Sequence, residues 1–133
     1  MRSVAATRKA LLRAIAKQNE NTAWLLAYMA EVEHRGLHEE FGYATMLDYC
    51  VEHLKMYDEE EAAQRLEVAR TARVFPVLFE AIADGRLHLE AVQLIAPHLT
   101  QANVDELVAA MTHRRESEIK AMLAEWFPPA PAA

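Results

Sequence analysis

The chain has 133 residues, 53% of them hydrophobic, with 3 glycines, 5 prolines and one cysteine. It suits a single domain with a modest core and excludes a disulfide scaffold or a thiolate zinc site. The formal charge of -6 is uneven, because residues 1–18 carry Arg2, Arg8, Lys9, Arg13 and Lys17 and no acid, which leaves the remainder close to -11. An acidic body does not draw phosphates over long range, so any nucleic-acid contact has to come from local basic clusters.

Alanine, leucine and glutamate outweigh β-branched residues, which predicts an all-α fold: a single domain of about six to eight helices over residues 1–127. From about Val4 to His34, Leu11, Leu12, Ile15, Thr22, Leu25, Leu26, Met29 and Val32 recur at three- and four-residue steps, the stripe of an amphipathic helix. The polar run Gln18-Asn19-Glu20-Asn21 leaves two readings open for residues 1–36: a helix pair with Asn21 as the second cap, or one long helix. Gly36 ends the segment.

After a linker through Phe41-Gly42-Tyr43, Thr45 caps a short helix carrying Met46, Leu47, Tyr49, Cys50, Val51 and Leu54. A turn at Lys55-Met56-Tyr57 leads to a helix that opens on Asp58-Glu59-Glu60-Glu61, acids suited to the positive helix end. That helix points Ala62, Leu66, Ala69 and Arg73 to one face, shows Gln64, Glu67 and Thr71 to solvent, and stops before Pro76. A helix with Val77, Leu78, Ala81 and Ile82 inward then ends at Gly85. Leu89 to Ala96, Gln101 to Met111 behind a Thr100 cap, and Ser117 to Trp126 complete residues 45–127 as a bundle around a helix-turn-helix-like central pair. Residues 128–133 form a Pro/Ala tail.

Several phrases fall in a recognisable order: Leu25 to Arg35, Tyr49-Cys50, Arg65 to Arg70, Phe75-Pro76, Gly85-Arg86-Leu87-His88-Leu89 and Ala96-Pro97-His98-Leu99-Thr100. In this the chain resembles the N-terminal helical region of HNH endonuclease family proteins, over roughly residues 22–128. The resemblance implies a helical region that precedes a metal-dependent nuclease module. No His-bearing hairpin and helix of that kind is expected here, so no nuclease residue is assigned. Met46 to Ala96 is more loosely similar to the helix-turn-helix region of plasmid-partition proteins, which implies a second helix set in a major groove.

On that second helix Arg65, Arg70 and Arg73 face a single acid, Glu67, and guanidinium groups suit both phosphates and guanine edges. Lys55 and Arg86 extend the candidate DNA-binding set. The basic N-terminal segment reads either as an arm tracking phosphates or as a solvated helix face that complements an acidic body. His34 and His38 stand four apart but straddle Gly36, so they read as exposed loop histidines rather than metal ligands. His88 precedes a helix that it is placed to cap, Cys50 reads as a packing thiol, and Trp24 and Trp126 read as core or interface anchors.

No catalytic residue, metal or cofactor is expected. The expected function is a non-catalytic helical DNA-recognition or nuclease-positioning domain with double-stranded DNA as partner. The alternative is a module that self-associates, as a homodimer through its N-terminal helices, and never touches nucleic acid. With five cations interrupting the first eighteen residues, the chain shows no membrane span and is expected in the cytoplasm.

Overall fold

The computed structural model describes residues 1–131, and over them the chain is all-helical. Ala132 and Ala133 of the expected tail lie outside the described residues. Eight helices follow one another: α1 (Val4–His34), α2 (Leu37–Glu40), α3 (Met46–Asp48), α4 (Glu59–Val74), α5 (Val77–Ala83), α6 (Leu89–Ile95), α7 (Val104–Met111) and α8 (Glu116–Trp126).

Of the two readings open for residues 1–36, the structure adopts one helix. The Ser3 hydroxyl accepts the Ala6 N–H at 3.1 Å as its cap, and Gly36, at φ 68°, supplies the left-handed exit. The polar run does not interrupt it, because Gln and Asn cost a helix only fractions of a kcal/mol each and neither Gly nor Pro intervenes. Short α2, unforeseen in the sequence, follows the glycine. It carries His38, which is buried at 7% exposure and is therefore not an exposed loop histidine. A side chain stripped of water by α2 packing replaces the expected solvated one.

Helix α3 begins on Thr45, whose hydroxyl accepts the Asp48 N–H at 3.1 Å. It widens into a π-helical turn over Tyr49–His53, where the Tyr49 and His53 rings stack at 4.9 Å. Lys55, at φ 62°, then reverses the chain toward Asp58, whose carboxylate caps α4 through the Glu61 N–H at 3.1 Å.

Helix α4 is the centre of the molecule, with α1 on one side and α6 on another. Ala62, Leu66, Val68, Ala69 and Ala72 are all buried, a wider arc than one stripe. This corrects two expected orientations. Arg73 is exposed, and Ala72 takes the inward place. Gln64, expected to face solvent, is half-buried and donates to Gln93 of α6 at 3.0 Å, whereas Glu67 does face solvent and accepts from the Gln93 amide at 3.0 Å.

Helices α7 and α8 close the core from beyond α5 and α6 through Leu107, Met111 and Ile119. Thr100 and Asn103 cap one another reciprocally, and this extra turn delays α7 to Val104. Trp24 and Trp126 are not core anchors: both are exposed, and Trp24 stacks on Tyr28 outside the fold at 5.7 Å.

Leu26→Ala is expected to cost about 2–5 kcal/mol in urea unfolding, because Leu26 is fully buried between α1 and its neighbours. Leu11→Ala, on the same stripe but exposed, should change the stability of the dilute chain by less than about 0.5 kcal/mol.

Candidate functional site

The five candidate cations fall into four places rather than one patch. Arg65 pairs with Glu61 one turn earlier on α4, with Nη1 3.1 Å from the carboxylate, and lies at the end of α4 nearest Gln18 and Asn19. Arg86, in the α5–α6 turn, donates its Nε to both oxygens of Asp84 at 2.8 and 2.9 Å. Arg70 and Arg73 lie toward the other end of α4, beside Glu33 and His34 of α1. Lys55 stands apart on the α3–α4 turn, exposed.

Arg70 makes the firmest of these contacts. Its Nε and Nη2 reach the two oxygens of Glu33 at 2.8 and 2.6 Å, a bidentate fork that ties α4 to α1. That hydrogen bond, aided by the Arg70 charge, holds the Glu33 carboxyl below its ordinary range against partial burial, and Arg70 is raised by the same bond. Close by, burial pushes the Cys50 thiol up, as expected for a packing cysteine.

The opening turn of α4 is equally telling. A helix that reads a major groove leads with its N-terminal residues, and here those are the exposed acids Asp58, Glu59, Glu60 and Glu61. Four carboxylates at that position repel phosphates, while the flanks of α4 are occupied by α1 and α6.

The first half of α1 is organised differently. From Val4 to Gln18 every residue but Ala10 is exposed, and at 1.5 Å per residue this arm stands about 22 Å clear of the body. Along it Val4, Leu11, Leu12 and Ile15, exposed at 88, 60, 51 and 45%, lie at the same helical angles as the buried Leu26 and Met29. The core stripe of α1 thus runs on past the core without a partner. On the opposite flank Arg2, Lys9, Arg13 and Lys17 alternate with alanines. The arm rejoins the body at Asn19.

The residues of the Gly85–Leu89 and Ala96–Thr100 runs are built into the frame. Gly85, at φ 81°, ends α5, and a Cβ there would lie 3.1 Å from the Asn19 amide of α1. Leu87 is a buried plug. His88 Nδ1 accepts the Ala91 N–H at 3.1 Å and so caps α6, while Nε2 lies 3.2 Å from the Arg114 carbonyl, to which it donates. His113 donates its backbone N–H to the Arg86 carbonyl at 2.9 Å from a left-handed conformation, φ 59°, which costs a non-glycine residue about 1–2 kcal/mol. His98 stacks on Phe127 at 4.4 Å.

Sequence reasoning missed the Glu33–Arg70 fork, which spans 37 positions. It also missed the place where the α5–α6 and α7–α8 turns meet, although the run His113-Arg114-Arg115 was a signal for the second of these. Among the described residues no three His, Cys, Asp or Glu side chains converge in a way that could hold a metal ion. None of their helices is long and apolar enough to cross a membrane. Comparison with protein-family models, curated proteins and solved structures returns no match. Nothing in these comparisons bears on the resemblance to HNH endonucleases expected from the motifs.

Because the folded-state value of Glu33 is depressed, its contribution is fully present above the ordinary glutamate range and is lost as pH falls below about 4. Glu33→Gln should lower stability at pH 7 by up to about 1 kcal/mol, discounted for the exposure of Arg70. The same variant should flatten the acid limb of a stability-versus-pH curve; an unaltered limb would show that the fork contributes nothing.

Proposed function

We propose that the chain is a non-catalytic helical assembly module that pairs with a second copy of itself through the projecting arm of α1. One observation carries this reading: the apolar stripe of α1 continues in register for some fifteen residues beyond the body, with nothing among the described residues against it. Solvated side chains of this size are what a partner helix buries, each contributing about 1.5–3 kcal/mol on full burial. Four from each copy set a gross gain of roughly 12–24 kcal/mol against an association cost of about 4–15 kcal/mol.

Charge selects the partner and its direction. A parallel pair would set the five cations of each arm beside those of the other. An antiparallel pair separates the basic tips and sends each toward the root of the other arm, where Glu61 of α4 and Glu90 of α6 lie near Gln18, Asn19 and Thr22. Such a module positions whatever it is joined to, in keeping with the nuclease-positioning role that the HNH likeness implies. The single buried Cys50 suits a cytoplasmic setting.

The acid-free arm also favours a second reading, in which it tracks the phosphates of duplex DNA. On that reading contact moves from α4, where Arg65 and Arg70 are paired to acids, to Lys9, Arg13 and Lys17.

Sedimentation velocity at micromolar concentrations should find a dimer that Leu11→Glu with Ile15→Glu converts to monomer without changing the helical circular-dichroism signal. A wild-type chain that stays monomeric at about 100 μM would rule the assembly reading out.

Fluorescence anisotropy on a labelled duplex tests the second reading. DNA tracking by the arm requires affinity that falls steeply with salt and is lost on Lys9→Glu with Arg13→Glu. Loss on Arg65→Ala with Arg70→Ala instead would return the contact to α4.

A further inference from the structure

Where the α5–α6 turn meets the α7–α8 turn, a cleft of about 400 Å³ opens at the root of the arm. Its polar walls are Asn19, Arg86, His88, His113, Arg114 and Arg115, and no carboxylate lines it. Three carboxylates stand behind its walls, Asp84 on Arg86, Glu90 on His88 and Glu118 on Arg114, at 2.8, 3.3 and 3.4 Å. We propose that this cleft is an anion site that takes a phosphate group, independently of how the arms pair.

The frame of the site is held from outside it. The His113 N–H bonds the Arg86 carbonyl and His88 bridges to the Arg114 carbonyl, so the two turns are fixed at hydrogen-bond distance from one another. His88 uses both ring nitrogens in doing so and is a strut rather than a ligand. The remaining donors are free to act on a guest. Asp84 engages Arg86 through Nε, which leaves the two terminal amino groups of that guanidinium without a partner among the described residues. Arg114 is held at one nitrogen by Glu118 at 3.4 Å. The Arg115 guanidinium has no ion pair among the described residues; its backbone N–H donates to Glu118 at 3.1 Å and its carbonyl accepts the Ile119 N–H at 3.0 Å.

Three guanidinium groups with unspent N–H donors around one concavity match the tetrahedral, multiply charged oxygens of a phosphate, where charge-assisted and forked hydrogen bonds are strongest. A carboxylate guest would satisfy fewer donors. The phosphate has two possible sources, a free phosphate-bearing small molecule or the backbone of a nucleic acid, and both present the same oxygens.

The test is an NMR titration of the full chain with inorganic phosphate, against sodium chloride at equal ionic strength. Saturable shifts confined to residues 85–88 and 113–115 are expected with phosphate and not with chloride. Arg115→Gln should weaken them about ten-fold, while Arg35→Gln, on the far end of α1, should leave them unchanged. Because Arg115 is exposed and unpaired, the variant is expected to keep the wild-type spectrum elsewhere, and Arg114→Gln gives a second reading of the same site. A short duplex that moves the same residues assigns the phosphate to a nucleic-acid backbone; a duplex that leaves them unmoved, with inorganic phosphate still binding, assigns it to a small molecule. Shifts no larger than those from chloride, or shifts that survive both substitutions, overturn the proposal.

Discussion

Helix α1 lies across α4 and α5, and most of what is particular about this molecule follows from that contact. Leu26 and Met29 are buried in it, the alanines of α4 and α5 let the backbones approach, and the Glu33–Arg70 fork fastens the far end. Because α6 packs on another side of α4, the second helix of the central pair is flanked on two sides. The same contact seats Asn19 against the Gly85 turn, so the crossing of α1 and the geometry of the α5–α6 loop are one constraint.

Charge is sorted by the same arrangement. Within the body cations sit beside acids: Arg65 by Glu61, Arg70 by Glu33, Arg86 by Asp84 and Arg114 by Glu118. At physiological salt such fields decay over about 8 Å. An arm of about 22 Å therefore carries most of its cations beyond the reach of the acidic body. Positive charge without an ion pair among the described residues is left along the arm, on Arg115 in the cleft at its root, and on the exposed Arg73 and Lys55.

The residues of the Gly85–Leu89 run act here chiefly as architecture. Gly85 supplies a left-handed exit, Leu87 a plug, and His88 a cap that also bolts one turn to another. A histidine with both ring nitrogens committed to backbone groups has little left for chemistry. Its presence in a motif reflects the demands of the turn.

The sequence alone determined the helical class, the ends of α4 and the roles of Gly36, Thr45 and Asp58, since capping, φ preference and the proline effect act over a few neighbouring residues. It also determined that residues 1–18 are basic and apolar by turns. Only the tertiary structure decided that half of the α1 stripe is core and half is bare, because identical periodicity says nothing about where the covering helices stop. The same holds for Arg70, whose partner lies 37 positions away on another helix, and for the burial of His38 and the exposure of Trp24. Long-range pairing and enclosure depend on how helices are placed in space, and composition and local spacing do not encode that placement.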